Sequence, residues 1–397
     1  MSKSSIRTWM RPAWCPALLF VWGAGCGETA DGAMPEAPGA SPPMMVVEPP
    51  KTNGDDGMPM GNGQDASLDP DPGPKPDAHS GGQAPEPDAS DTPDAAAPEP
   101  EIESPPALLS QTGLYADIGS ETLADGVVTY RPRFELWSDG AEKRRWFYLP
   151  EGTQIDTSDM DKWRFPVGTK AWKEFTRDGV RVETRLVEKT DEGWELIAYI
   201  WREDGSDADS DDLGMENARG TPHDVPGTTL CNSCHLGQPD RLLGISALQL
   251  WHDDGDMTVQ SLMAEGRLTN PPAGPPTLPS DPTALNALGG MHANCGSCHT
   301  PEHLEVFDKA DGLILTLPYG GSTDPTQAPA YMTAVGVAVD NALGDLPERI
   351  VAGAPDQSQL FYRMELPPGD EDGMPPTAVE LPNTELITAV RTWIEMM

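Results

Sequence analysis

The pentapeptide Cys-x-x-Cys-His occurs twice in this chain, as Cys231-Asn232-Ser233-Cys234-His235 and as Cys295-Gly296-Ser297-Cys298-His299. Few short patterns constrain a fold more, because each copy must present two thiols and an imidazole to one object. The pattern is the attachment signature of c-type haem. Two thiols three positions apart each form a thioether with a porphyrin vinyl group, and the adjoining His lies under the iron. Other thiol chemistries fit less well. A four-thiolate zinc site usually places its second pair about 15–20 residues after the first and needs no His behind both pairs. A thioredoxin-type pair belongs at a strand-to-helix turn and is not normally duplicated. The expectation is two covalent haems c on Cys231, Cys234, Cys295 and Cys298, with His235 and His299 as iron ligands.

The other two cysteines, Cys15 and Cys26, lie in the N-terminal leader, so none remains for a disulfide framework. Lys3, Arg7 and Arg11 precede a short apolar stretch, residues 14–22, which is too short to span a bilayer. Gly23-Ala24-Gly25 then supplies small residues before Cys26. Residues 1–26 read as an export signal that resembles a bacterial lipoprotein signal, with Cys26 as the lipidated residue and membrane anchor. Gly23 stands where a Leu is usual, and an ordinary secretory signal cut nearby is the alternative. Residues 27–113 contain no aromatic side chain, and seventeen acidic residues there stand against two lysines. Such a segment buries too little apolar surface to offset its chain entropy, so a disordered, acidic, Pro-rich tether is expected.

Composition changes near Tyr130. Six tryptophans fall between there and residue 201: Trp137, Trp146, Trp163, Trp172, Trp194 and Trp201. Residues 180–187 and 194–201 alternate with a period of two, and Gly-containing turns separate such runs. The expected fold is multidomain β + α: an antiparallel β sandwich or half-barrel over 114–230, then helices. The tryptophans read as core and sheet-face packing, with a sugar-binding platform as the alternative. The acidic stretch 204–212 lacks the Gly and distal Glu of an EF-hand and reads as a solvated loop.

Residues 231–283 form a first haem segment, with helices expected over 243–251 and 259–266. Residues 284–397 read as an all-α cytochrome c-like domain: a short helix over 284–293, weakened by Gly289-Gly290, then the second pentapeptide. Gly373-Met374-Pro375-Pro376 and an amphipathic helix over 385–397 follow. The soft thioether of Met374 suits the distal side of haem iron, and the two prolines stiffen its loop. Met364 is the alternative ligand. For the first haem His223, His252 and Met257 stand equally as distal candidates.

From about residue 114 onward the chain resembles an uncharacterised family of exported bacterial dihaem c-type cytochromes. The stretches that carry the resemblance are residues 136–143 (Leu-Trp-Ser-Asp-Gly-Ala-Glu-Lys), Phe165-Pro166-Val167-Gly168-Thr169, Glu183-Thr184-Arg185-Leu186, both pentapeptides, residues 352–358 and Arg363-Met364-Glu365. The resemblance implies two covalent haems and an extracytoplasmic location, without a substrate. The first half alone is similar in layout to small β-fold c-haem enzymes that oxidise hydroxylamine. Those carry a haem-linked lysine, to which no lysine here is assigned.

Two functions compete. One is an electron-transfer lipoprotein that docks a redox protein. The other is a haem redox enzyme, a peroxidase or an oxidase of small nitrogen compounds, with an open first haem. A binding module with accessory haems is a third. The formal charge of −38 favours a basic partner and excludes nucleic acid.

Overall fold

A computed structural model describes residues 105–377 and 379–397. The export signal, Cys26 and residues 27–104 of the expected tether lie outside the described residues. The chain contains β1 (Tyr115–Asp117), β2 (Thr122–Leu123), β3 (Val127–Thr129), β4 (Glu142–Tyr148), β5 (Lys170–Arg177), β6 (Val180–Thr190), β7 (Gly193–Trp201), β8 (Ala208–Asp211), β9 (Gly214–Met215) and β10 (Val225–Pro226). Then follow α1 (Thr228–His235), α2 (Val259–Ala264), α3 (Pro282–Asn294), α4 (Leu304–Lys309), α5 (Pro329–Ala334), β11 (Ala338–Leu343), β12 (Leu346–Glu348), α6 (Gln359–Glu365) and α7 (Thr384–Glu395).

Strands β3 to β8 form one antiparallel sheet in sequential order. Asp178 and Gly179 both take positive φ and close the β5–β6 hairpin, the geometry that matches the twist of the flanking strands. One face of the sheet buries Trp146, Trp172, Leu186, Tyr199 and Trp201 beneath the β1–β2 hairpin. The opposite face buries Phe147, Ala171 and Val187 against Leu242, Ile245, Leu250, Met257, Val259 and Leu262. Of the expected antiparallel sandwich or half-barrel, the structure shows a six-stranded antiparallel sheet whose second face is covered by the 242–268 segment and not by another large sheet. That segment is mostly turns: residues 243–251 form no helix, since Arg241 and Gly244 both take positive φ, and only α2 is helical.

The folded body begins before residue 114, which corrects the tether's end. Leu108 bridges to Asp209, and Leu109 is fully buried under the sheet. Ser110 fixes this start by donating from its hydroxyl and its amide to the Asp207 carboxylate, at 2.6 and 3.1 Å. Ser110→Ala should cost about 1.5 kcal/mol in urea denaturation; no change would place residues 105–113 outside the cooperative unit.

A second core joins α3, α5, α6 and α7 through Leu288, Met291, Ala334, Phe361, Val390, Trp393 and Ile394. Asp281 caps α3 by accepting from Ala284 N–H, and Pro282 occupies the first turn, where no donor is lost. The two mid-helix glycines have a packing reason. A Cβ at Gly289 would overlap the Phe134 ring, and one at Gly290 would overlap Leu386 of α7. Phe134 belongs to the β3–β4 connection, which ties this core to the sheet. Within that connection the Trp137 amide donates to Asn294 Oδ1 (2.7 Å), and Trp137 Nε1 donates to the Leu381 carbonyl (2.9 Å). Asp139 accepts from the amides of Glu380 and Leu381.

Candidate functional site

The β9–β10 pairing sets up the first pentapeptide. Gly227 lies so close to the Leu213 carbonyl that a side chain there would meet it at 2.6 Å, and the Thr228 amide donates to Asp212. Helix α1 then carries Cys231, Cys234 and His235 against β7 of the sheet. Helix α3 delivers the second pentapeptide at its C-terminus, where Cys295 and His299 amides are bonded to the Met291 and Cys295 carbonyls.

The two pentapeptides pack against each other. Cys298 Sγ lies 3.4 Å from the Ser233 carbonyl, and His303 Nε2 lies 3.2 Å from the same oxygen. The Cys234 thiol donates toward Cys298; that bond holds Cys298 down to about 7 and, with burial, pushes Cys234 up. Gly237 abuts Ser297 so closely that a Cβ would overlap its carbonyl oxygen. The four pentapeptide cysteines are half-buried, and no disulfide joins them. Burial pushes Cys231 up, and Cys295 up to about 12, so these two stay as thiols.

The histidines differ. His235 Nδ1 lies 2.5 Å from the Arg241 carbonyl, so it donates there and leaves Nε2 as the basic nitrogen. His299 Nδ1 is buried with no hydrogen-bond partner among the described residues. Burial holds both imidazoles down to about 4, in the neutral form that a metal requires. Sequence reasoning passed over His303, although its place four residues after His299 is a visible signal. It also passed over His292, whose Nδ1 accepts from the Leu317 amide at 3.1 Å; its proton is therefore on Nε2. Burial brings His292 down to about 4. A base with a depressed folded pKa supports the fold fully above its unfolded value, near 6.5, and loses that support as pH falls toward 4. His292→Gln should therefore flatten the stability profile in that window by about 1–2 kcal/mol. An unchanged profile would count against the buried, neutral imidazole.

No family model, curated protein or solved structure matches this chain.

Of the three distal candidates for the first pentapeptide, two are engaged away from it. Met257 is buried in the core beneath the sheet, and His252 Nε2 lies 2.6 Å from the Arg131 carbonyl. His223 is buried next to the site, but its Nε2 lies 2.7 Å from Glu183 Oε1 and its ring packs on Phe175. Arg185 grips the same carboxylate with two bonds of 2.5 and 2.9 Å. Burial works to raise Glu183, yet Arg185 and His223 outweigh it and hold the carboxyl below its ordinary range.

Near the second pentapeptide, Met364 packs into the core that also holds Cys295. Met374 is half-buried on a loop tied to α6: its amide donates to the Arg363 carbonyl (2.9 Å), and Arg363 donates to the Asp372 carbonyl (2.8 Å). Both sulfur candidates thus hang from one short helix. Among the described residues no three His, Cys, Asp or Glu side chains gather as a metal site. A shared four-thiolate zinc site does not fit this arrangement.

Proposed function

We propose that this chain is an exported dihaem c-type cytochrome that passes electrons between two covalent haems and an external redox protein, anchored through lipid on Cys26. The observation that carries the reading is the direct packing of the two pentapeptides, which would put two attached groups side by side. Cys231 and Cys234 would hold one haem and Cys295 and Cys298 the other, in a C-terminal cytochrome c-like domain. A bound haem supplies one-electron chemistry at iron. His235 would face the iron with Nε2, its ring oriented by the Arg241 carbonyl. His299 would do the same for the second group, with Met374 as distal ligand and Met364 as the alternative. The formal charge of −38 favours a basic partner and salt-sensitive association.

Pyridine haemochrome counting on the exported protein tests this. Two haems per chain are expected, and replacing either Cys pair by Ser should remove one. No haem, with Cys234 and Cys298 recovered as a disulfide, would overturn the reading.

A second reading, a haem enzyme open at the first site, is favoured by one specific observation. His252 and Met257 are engaged elsewhere, and His223 has its Nε2 against Glu183. Carbon monoxide binding to the ferrous protein would support it, and refusal of carbon monoxide would leave electron transfer alone.

A further inference from the structure

The face of the sheet under the first pentapeptide carries a line of cations that the fold does not explain. Register places Arg145 of β4 opposite Lys173 of β5, and Lys173 opposite Arg185 of β6. The three share a face with Phe147, Ala171 and Val187, because residues two apart along a strand point the same way. Like charges directly opposite across strands destabilise a sheet. Two of the cations are matched: Arg145 pairs with Glu135 at 3.1 Å, and Arg185 pairs with Glu183. Lys173 makes no ion pair or side-chain hydrogen bond among the described residues, and its ammonium lies 4.9 Å over the Phe175 ring.

We propose that Arg145, Lys173 and Arg185 form a binding site for a carboxylate-type oxyanion beside Cys231, Cys234 and His235. Arg185 is near enough to act electrostatically on both cysteines, and Lys173 on Cys234 and His235. Helix α1, which carries the pentapeptide, packs on β7, the strand paired with β6 where Arg185 sits opposite Ala198, so an anion on this row lies within electrostatic reach of the first pentapeptide. Burial, and then Arg145 and Arg185 beside it, push the Lys173 ammonium well below its ordinary value, a cost that a bound anion offsets. Planar guanidinium groups flanking an ammonium suit two-oxygen acceptors. The oxyanion has two sources: the propionates of a haem attached at this site, where the inference rests on the haem reading, or a free small oxyanion.

The test uses the exported full-length protein, Lys173→Met and Lys173→Arg, each first counted for haem. If propionates occupy the row, Lys173→Met keeps two haems but moves the propionate bending band in resonance Raman. It also lowers one midpoint potential by about tenfold in the reduced-to-oxidised ratio, about 59 mV. Lys173→Arg restores both. If the oxyanion is free, calorimetric titration with nitrite or inorganic phosphate shows saturable binding to wild type that Lys173→Met loses and Lys173→Arg keeps. That titration needs no haem, so it decides the case even where the count fails and takes the proposed function with it. A Lys173→Met protein with an unmoved band, unmoved potentials and unaltered calorimetry overturns the site.

Discussion

Replacing Glu183 with Ala is expected to destabilise the protein by about 3–5 kcal/mol, measured by urea denaturation. The carboxylate is fully buried and is the shared partner of Arg185 and His223. Truncation leaves a guanidinium stacked 4.4 Å over Phe175 without its counter-charge, next to Lys173 on the neighbouring strand. Removing one member of a buried charged group costs far more than the group contributes as a whole, because the survivor stays desolvated. The pH dependence carries its own sign. A carboxylate held below its unfolded value contributes stability that is full above that value, about 4.3, and is lost as pH falls through the folded one. Wild type and Glu183→Gln should therefore differ at pH 7, and the gap should close as pH falls through the lowered folded value of Glu183. A loss under 1 kcal/mol for Glu183→Ala, or a gap that persists in acid, would show that Arg185 finds another partner.

The strands were legible because apolar and polar residues alternate with a period of two along β6 and β7, and Gly-containing turns end them. Helices α3 and α7 were legible from their apolar stripes; Gly289 and Gly290 read as weaknesses because the chains they admit, Phe134 and Leu386, lie far off in sequence. The single sheet was not legible. Its second cover is an irregular stretch, in which Leu242, Ile245 and Leu250 reach the core through turns and leave no period to read.

The site divides the same way. Spacing marked the cysteines and the two histidines beside them, since each pentapeptide is a local pattern. The cation line was hidden, because Arg145, Lys173 and Arg185 come from three strands and only register aligns them. The expected inequality between the sites also changes character. By sequence the second pentapeptide had the fuller setting, with Met374 in view. In the fold it is His235 whose Nδ1 has a carbonyl partner, while Nδ1 of His299 has none among the described residues.

The contact between the pentapeptides was equally invisible, since Ser233 and Cys298 are 65 positions apart, and one residue controls it. Gly237 has an ordinary backbone conformation, so its requirement is for space. A Cβ there would overlap the Ser297 carbonyl oxygen and come within 2.8 Å of its carbon and 3.2 Å of Thr300 Cγ2. Backbone cannot swing aside as a side chain can, so Gly237→Ala must move the two pentapeptides apart. Overpacking of this kind costs about 3 kcal/mol at the upper end of its usual range. The local consequence is larger, because the Cys234–Cys298 contact and the bonds from Cys298 and His303 to the Ser233 carbonyl all cross this seam. In protein made without haem attachment, mild oxidation should link Cys234 to Cys298 in wild type and fail to do so in Gly237→Ala. In the haem-loaded protein the same substitution should slow electron exchange between the two sites while leaving two haems per chain. Equal cross-linking yields in the two proteins would mean that the seam opens freely in solution, and the side-by-side arrangement behind the proposed function would lose its support.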